Sequence, residues 1–324
     1  MADTQNILLL HTETNIPGKI LEDAQQRTPD GFALAKCTTA ADDAERREKV
    51  AAADYIIAYG VGFEDFDVAE QVKLFQVLSA GFDKLDLERF KSMNIPVANN
   101  GGANAPTVAE TAVMHMLSVL KKLPLHHNSL QKGEWLGHRH ALEMRELRGK
   151  QVGIVGFGHI GRETARNVNG FLATVAYFDP AGAPPEVEKE LSATRMELDE
   201  LIRTSDIISV HTPLLPATRG MFGAEQFAAM KPTAIFVNTS RGGVVDEPAL
   251  IAALDKSEIA GAGLDVFAEE PLPADSPLLG RDNVVVTPHY AGTTVDTWTR
   301  RLDFGFGNVL RVSKGEEPLA IVNK

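Results

Sequence analysis

Short apolar runs rich in Val and Ile recur between residues 151 and 292, and stretches with helical periodicity separate them. Such a run is typical of a strand buried on both faces, and strands that alternate with helices are typical of a parallel sheet covered by helices. This segment therefore predicts an α/β fold with a doubly wound parallel sheet. The six runs are QVGIVGFG, ATVAYFD, IISVHTP, TAIFVNTS, IAGAGLDVF and NVVVTPHY.

The first hundred residues show a weaker form of the same alternation, which predicts a second α/β layer. An apolar helix is predicted over 105–123, and the polar stretch 126–148 is predicted to be a connector or an arm. The periodic segment near 294–315 is too long for a tail, so it is expected to dock as a final helix. The candidate strands of this layer lie at 7–11, 55–60, 74–81 and 95–100.

Length and charge limit the classes of protein. A chain of 324 residues exceeds the size of most single cores, so two domains are expected. The formal net charge of −12 opposes binding to nucleic acid or anionic lipid, and no segment approaches the roughly 20 apolar residues of a membrane span. The single cysteine, Cys37, cannot form an internal disulfide, which favours a cytoplasmic location.

The first strong run ends in a glycine-rich turn. VGIVGFGHIG places Gly156, Gly158 and Gly161 in the GxGxxG spacing between a predicted strand and a predicted helix. The first glycine permits a tight turn, the second lets the backbone approach a pyrophosphate, and the third lets the helix pack on the strand. This context predicts a dinucleotide site, with His159 and Ile160 beside the phosphates. The side chain of His159 either contacts phosphate or faces solvent.

Asp179 ends the next predicted strand, 23 positions after Gly156. An acid at about this spacing binds the ribose hydroxyls of a dinucleotide, and its charge repels a 2′-phosphate. The PAGAPPE segment that follows offers no Arg or Lys to bind that phosphate. The sequence therefore favours NAD over NADP, and the alternative is that Asp179 is a turn residue before Pro180.

Three ionisable residues follow later strands of the same predicted sheet: Arg241, Glu270 and His289. In a doubly wound sheet, ligands bind beyond the carboxyl ends of the strands. A guanidinium binds a carboxylate bidentately, an imidazole exchanges a proton with a hydroxyl, and a carboxylate orients the imidazole. Each residue alone is more often a surface ion pair, a solvated acid or a capping group. Together, behind a dinucleotide cradle, they predict oxidation of a 2-hydroxy acid.

Seven motifs resemble the D-isomer-specific 2-hydroxy acid dehydrogenase family. They are SAGFDKLDL, APTVAE, VGIVGFGHIG, SDIISVHTPLLPATRG, FVNTSRGGVVDEPAL, AGLDVFAEEP and VVVTPHYAG. The chain is similar to that family over essentially its whole length. The resemblance implies an NAD-dependent enzyme that acts on a small 2-oxo acid or D-2-hydroxy acid.

The resemblance also implies a role for each charged residue: Arg241 binds the substrate, His289 is the acid/base, and Glu270 is the partner of His289. Backbone amides around Ala80 and Gly81 would bind the substrate carboxylate. The residues implied to lie near the cofactor are Thr107, Pro213, Thr239 and Asp265, with Asp265 accepting from the nicotinamide amide.

The same resemblance implies the domain organisation. A flavodoxin-like substrate-binding domain would comprise 1–103 and 293–324, and a Rossmann NAD-binding domain, 104–292, would be inserted in it. Helices near 105 and 294 would form a hinge. Members of the family are commonly homodimers through the cofactor domain, and the arm around Trp135 belongs either to that interface or to a surface loop.

Fewer sequence features bear on the identity of the acid. The loop 59–65 resembles the part of the family's substrate domain that varies with substrate, and it contains no Lys or Arg. This favours glyoxylate, hydroxypyruvate or a similar small acid over phosphoglycerate. The alternatives are a phosphoglycerate-type dehydrogenase and a non-enzymatic, NAD-sensing protein that resembles the corepressors related to this family.

Several histidines lie outside the predicted site. His126 and His127 are adjacent and His138 and His140 are two apart, but they lack partners at metal-ligand spacing, so a polar arm is expected and no metal site. His115 lies inside the apolar helix and is expected to be a core or interdomain histidine.

Overall fold

The computed structural model describes residues 4–324. The chain divides into two compact units, one formed by the residues up to Asn104 together with Thr293–Lys324, and the other by Ala105–Gly292. Residues 4–104 contain five strands and three helices. These are β1 (Gln5–His11), α1 (Gly18–Gln26), β2 (Phe32–Thr38), α2 (Asp43–Ala51), β3 (Tyr55–Tyr59), β4 (Leu74–Val77), α3 (Leu87–Ser92) and β5 (Val97–Ala98), with a short 3-10 turn at Phe66–Val68.

The second unit alternates strands and helices, and a long helix of the first unit follows it. The strands are β6 (Gln151–Val155), β7 (Thr174–Phe178), β8 (Ala193–Arg195), β9 (Ile207–Val210), β10 (Ile235–Asn238), β11 (Gly261–Leu264) and β12 (Val284–Val286). The helices are α4 (Ala105–Leu120), α5 (Leu123–Gln131), α6 (His159–Gly170), α7 (Pro185–Glu190), α8 (Leu198–Thr204), α9 (Ala224–Ala229), α10 (Glu247–Asp255) and α11 (Val295–Ser313), with a 3-10 turn at Gly242–Val244.

Each unit is built on a parallel sheet. The five-stranded sheet of the first unit has the order β2-β1-β3-β4-β5, which is the flavodoxin-like order. The seven-stranded sheet has the order β12-β11-β10-β9-β6-β7-β8, which is the Rossmann order extended by one strand. The predicted fold class is therefore confirmed. The strand order of the second sheet reverses between β6 and β9, which is where such sheets bind their ligands.

The central strands of both sheets correspond to the apolar runs predicted from the sequence. The edge strands β2 and β8 were not predicted. β2 has one buried residue, Cys37, among half-buried and exposed positions, and only the first residue of β8 is buried. An edge strand has one neighbour and a partly solvated face, so it needs no continuous apolar run. This is why the sequence pattern predicted six strands for the second sheet, where the structure has seven.

The apolar helix predicted over 105–123 is shorter in the structure. α4 ends at Leu120, Lys122 adopts a left-handed conformation (φ 49°), and α5 begins at Leu123 with Pro124 in its first turn. Proline suits a helix start because it has no amide hydrogen to bond, so it begins α5 here. The segment 126–148, predicted to be a connector or an arm, is thus helical as far as Gln131.

Glycines let α4 pack closely on the second sheet. A Cβ on Gly263 would lie 2.7 Å from the Cβ of His115, and a Cβ on Gly261 would lie 2.9 Å from a Val119 methyl group. Both glycines belong to β11, so a strand with side chains at these positions would push α4 away. His115 is therefore a core residue of this unit, fully buried against β11.

The final helix is present as predicted. The side chain of Thr294 caps α11 by accepting from the amide of Thr297, and Trp298 and Phe306 are buried against the five-stranded sheet. Across residues 4–324, none of the helices has both the length and the apolarity needed to cross a bilayer.

Candidate active site

The glycine turn lies at the switch point of the seven-stranded sheet. Gly156 has a φ of +90°, and a Cβ there would lie 2.9 Å from the backbone of His211, which follows β9. A Cβ on Gly161 would collide with the carbonyl oxygen of Gly156, whereas a Cβ on Gly158 would meet no atom within 4 Å. The first and third glycines therefore serve the fold, and the second leaves open space at the start of α6. His159 is exposed there and Ile160 is half-buried.

Asp179 is fixed beside this turn by backbone amides. Its Oδ2 accepts from Phe157 at 2.8 Å and its Oδ1 accepts from Ala181 at 2.9 Å. The carboxylate thus connects the end of β7 to the glycine turn, as a ribose-binding acid requires. Arg195, from the edge strand β8, donates to the carbonyl oxygens of Asp179 and Pro180 at 3.1 and 3.0 Å. No local sequence pattern indicates this cation, because Arg195 is 16 positions from Asp179 along the chain.

Buried polar atoms without partners lie at the ends of β9 and β10. Within residues 4–324, His211 Nδ1, Thr212 Oγ1 and Thr239 Oγ1 are shielded from solvent and make no hydrogen bond. Such atoms are costly unless a ligand or water satisfies them. Burial also lowers the pKa of His211, so its ring is neutral. The glycine turn, Asp179 and these atoms together fit a dinucleotide bound across the switch point.

Two other residues implied to be near the cofactor have structural contacts of their own. The carbonyl oxygen of Pro213 accepts from the hydroxyl of Thr218 at 2.6 Å, which holds the loop after β9. Thr107 is buried in the first turns of α4, and its carbonyl oxygen accepts from Thr111 Oγ1 at 3.0 Å.

His289 and Glu270 form a direct pair. Nδ1 of His289 lies 2.6 Å from Oε2 of Glu270, although the two residues follow different strands, β12 and β11. The other carboxylate oxygen, Oε1, accepts from the amide of Phe267 at 3.0 Å. Since the carboxylate binds Nδ1–H, the second ring nitrogen of His289, Nε2, is the one available to exchange a proton with a ligand.

The surroundings of Glu270 favour its charged form. Burial raises the pKa of the Glu270 carboxyl, but the hydrogen bonds from His289 and Phe267 and the charges of His289 and Arg241 outweigh burial, so the pKa is lowered overall. The carboxylate therefore remains ionised through the neutral range, where it stabilises a protonated imidazole.

Arg241 is held by the loop that follows β10. Asn238 donates to the carbonyl oxygen of Arg241 at 3.0 Å, and the Arg241 guanidinium donates to the carbonyl oxygen of Ser240 at 2.8 Å. The next residue, Gly242, lies so close to Phe267 that any Cβ would collide with the Phe267 carbonyl. Only glycine lets the loop with Arg241 approach the loop with Glu270 this closely.

Asp265 lies beneath the loop that carries His289. Its Oδ1 accepts from Thr287 Oγ1 at 2.6 Å and from the amide of Tyr290 at 3.1 Å, and its Oδ2 accepts from the amide of Ala291 at 2.9 Å. Burial raises the pKa of this carboxyl. Because a carboxylate oxygen can accept two hydrogen bonds, Oδ2 retains capacity for one more donor.

In the first unit, Ala80 and Gly81 lie in the turn after β4. The carbonyl oxygen of Ala80 accepts from the side-chain amide of Asn99 at 3.0 Å, and that of Gly81 accepts from Ser79 Oγ at 2.8 Å. These bonds fix the carbonyls and hence the orientation of the turn. In the part of the chain that the structure describes, no cluster of three or more His, Cys, Asp or Glu side chains is arranged to hold a metal ion.

Comparisons with known proteins agree with this geometry. Residues 113–291 match the NAD binding domain of the D-isomer specific 2-hydroxyacid dehydrogenases. The chain is 36% identical over 263 residues to a glyoxylate reductase of Korarchaeum cryptofilum, which covers 81% of this chain and 79% of that protein. It is 35% identical over 283 residues to a D-3-phosphoglycerate dehydrogenase of Methanocaldococcus jannaschii, covering 86% of this chain and 53% of that protein.

A solved structure agrees as well. The crystal structure of D-lactate dehydrogenase with NAD+ from Lactobacillus jensenii superimposes with a TM-score of 0.83 at 29% sequence identity, covering 98% of this chain and 100% of that one. The matched domain contains the glycine turn, Asp179 and the three charged residues at the strand ends. On these grounds the chain belongs to the D-isomer specific 2-hydroxyacid dehydrogenase family.

Proposed function

We propose that this protein interconverts a small 2-oxo acid and its D-2-hydroxy acid with NAD(H), and that glyoxylate or hydroxypyruvate is the kind of acid it takes. The observation that carries the proposal is the 2.6 Å hydrogen bond between His289 and Glu270 in a domain of the NAD-binding type. Bound NAD(H) supplies or accepts the hydride. The glyoxylate reductase relative supports the choice of acid.

His289 acts as acid and base in this proposal. During reduction, negative charge develops on the carbonyl oxygen of the substrate, and Nε2 of His289 donates a proton to it. Glu270 stabilises the protonated ring before transfer and keeps it oriented through Nδ1. In the oxidation direction the neutral ring takes the hydroxyl proton.

Arg241 and the turn at Ala80 and Gly81 bind the acid. A guanidinium presents a planar set of donors, so it can bind the substrate carboxylate and polarise the adjacent carbonyl. The Ser240 carbonyl restrains the Arg241 side chain at 2.8 Å and lowers the entropy cost of that interaction. We assign the carboxylate-binding amides to Ala80 and Gly81, whose turn is fixed by Asn99 and Ser79.

A phosphoglycerate-type activity is the second candidate, and one contact favours it. The loop 59–65 contains no basic residue, but Lys84 donates to the carbonyl oxygen of Gly60 in that loop at 3.4 Å. A cation therefore does lie against the loop. The phosphoglycerate dehydrogenase relative supports this alternative, and a sensor without turnover is the third.

We also propose that the protein is a cytoplasmic homodimer through its cofactor domain. The support is a groove on the 105–292 unit that apolar side chains dominate, three of them 38–56% exposed. A contiguous apolar surface of this kind is typical of a protein interface. The groove is lined by Glu110, Val113, Met114, Leu117, Ser118, Lys121, Leu123, Asn167 and Phe171. Trp135 is 79% exposed, which suits either an interface arm or a surface loop.

The first prediction concerns the substrate. NADH oxidation should be fastest with glyoxylate or hydroxypyruvate and slow with 3-phosphohydroxypyruvate in a panel of 2-oxo acids. The measurement is the loss of NADH absorbance at matched substrate concentrations. Preference for the phosphorylated acid would favour the second candidate, and NADH binding without turnover on any acid would favour the sensor.

The second prediction concerns His289. Its φ is 50°, a conformation that asparagine tolerates better than alanine, so His289→Asn removes the imidazole with little backbone strain. The variant should lose about 10²–10⁴-fold in kcat, the usual contribution of a general acid. Its NADH dissociation constant, measured by fluorescence titration, should stay near that of the wild type. Turnover within a few-fold of wild type would contradict the assigned role.

The third prediction concerns the pH dependence set by Glu270. The lowered pKa of Glu270 means that the wild-type carboxylate is charged at neutral pH, where it stabilises the protonated imidazole. In Glu270→Gln that charge is lost, and with it the stabilisation of the protonated form of the pair. Reduction should therefore fall off at lower pH than in the wild type, as measured from kcat/KM between pH 4.5 and 9. Glu269→Gln, on the neighbouring exposed residue, is the matched control. An unmoved profile in Glu270→Gln would refute the pairing.

The fourth prediction concerns cofactor choice. Asp179→Ser removes the charge that repels a 2′-phosphate and leaves Arg195, which already contacts the Asp179 and Pro180 carbonyls. The variant should use NADPH at least about tenfold better than the wild type, since a hydrogen bond to a charged group contributes about 1.5–3 kcal/mol and about 1.4 kcal/mol corresponds to tenfold. The double variant Asp179→Ser/Arg195→Gln should lose that gain. Equal NADPH kinetics in the single and double variants would show that Arg195 does not serve the phosphate.

A further inference from the structure

We propose that His115, a buried residue of α4, is a positioning residue for the reaction. It fixes the loop of residues 287–291, which carries His289, through a hydrogen-bonded chain that runs by way of Thr287 and Asp265. The proposal rests on the function assigned to His289. His115 itself touches neither substrate nor cofactor in this scheme.

The chain of contacts is short. His115 is fully buried, and its Nε2 lies 3.0 Å from Oγ1 of Thr287. The same hydroxyl lies 2.6 Å from Oδ1 of Asp265. The loop amides of Tyr290 and Ala291 donate to the Asp265 carboxylate, at 3.1 and 2.9 Å. His115 is therefore two hydrogen bonds from the carboxylate that holds the loop.

The direction of these bonds follows from the donors available. Two backbone amides, which can only donate, and the Thr287 hydroxyl all converge on the Asp265 side chain, so the single hydroxyl hydrogen of Thr287 goes to Asp265. Thr287 Oγ1 must then accept from His115, which requires the tautomer with hydrogen on Nε2. Nδ1 of His115 is buried without a partner among the described residues, and a bare nitrogen there costs less than an unpartnered N–H. Burial lowers the pKa of His115 to about 4, so the ring stays neutral and keeps this tautomer.

α4 contacts the loop at both of its ends. One turn before His115, the single hydroxyl hydrogen of Thr111 is shared between the carbonyl oxygens of Thr107 at 3.0 Å and Ala291 at 3.2 Å. Residues four apart lie on the same helix face, so Thr111 and His115 together span the loop from Ala291 to Thr287. Gly263 makes this possible, because a side chain there would displace His115.

The loop needs such support because His289 is strained. Its φ of 50° is a left-handed conformation that costs a non-glycine residue about 1–3 kcal/mol. The amide of His289 donates to the Asp265 carbonyl at 2.8 Å, and the Asp265 side chain holds the next two amides, those of Tyr290 and Ala291. Without the bond from His115, Thr287 and Asp265 are held less firmly, and the His289 ring is expected to lose its alignment with Glu270.

The test compares two substitutions of similar size at position 115. His115→Leu removes the donor, whereas His115→Gln retains an amide N–H that can reach Thr287. We expect kcat to fall about tenfold or more in His115→Leu, since small misplacements of a reacting group have effects of this order. The KM for the 2-oxo acid and the NADH dissociation constant should change by less than about threefold. His115→Gln should recover most of kcat.

The pH profile separates positioning from simple core packing. In His115→Leu, kcat/KM for reduction should fall off at lower pH than in the wild type, in the same direction as in Glu270→Gln. Met116→Leu, a buried neighbour on the same helix, should leave both kcat and the profile unchanged. If His115→Leu does not fold, Thr287→Val tests the same chain, with Thr287→Ser as its rescue.

Two results would overturn the proposal. One is a His115→Leu or Thr287→Val protein that is less stable but has the kcat and pH profile of the wild type. The other is a His115→Gln protein as slow as His115→Leu. Failure of the proposed function looks different, because the wild type itself would then oxidise NADH with none of the 2-oxo acids.

Discussion

The buried carboxylate of Asp265 is the interaction on which the candidate site depends. It binds the amides of Tyr290 and Ala291 and the hydroxyl of Thr287, and its own backbone carbonyl binds the amide of His289. These bonds hold the loop after β12 against the end of β11. The neighbouring loops approach each other because Gly242 has no side chain. The position of His289 beside Glu270 is thus set in part by groups outside the pair.

Parallel strands explain why such distant residues meet. Every strand of the seven-stranded sheet runs in the same direction, so the loops after β6, β9, β10, β11 and β12 all leave from one edge. That edge carries the glycine turn, the unpartnered polar atoms of His211, Thr212 and Thr239, and the three charged residues. Buried polar atoms that have no partner among the described residues can be satisfied by hydrogen bonds to a ligand, and such bonds favour its binding.

The fold identifies the family, but membership of the family does not by itself identify the substrate. The domain match and the relatives place the chain among dehydrogenases whose names include both glyoxylate reductase and D-3-phosphoglycerate dehydrogenase. Under the proposed function, the pair His289 and Glu270 suits any of their acids, because it would act on the oxygen that all of them share. Lys84 and the loop 59–65 lie together in the first unit.

The sequence by itself determined the fold class, the family and the NAD-binding character, because apolar runs, glycine spacing and the acid at Asp179 are local patterns. It also singled out His289 and Glu270, although their pairing required the order of β11 and β12 in the sheet. Tertiary structure alone decided the edge strands β2 and β8, the end of α4 at Leu120, and the positions of Arg195 and Lys84. It also showed that His115, which the sequence places in an apolar helix, is a hydrogen-bond partner of Thr287. The physical reason is that contacts between residues 16 to 172 positions apart depend on how helices and strands pack, which no local pattern encodes.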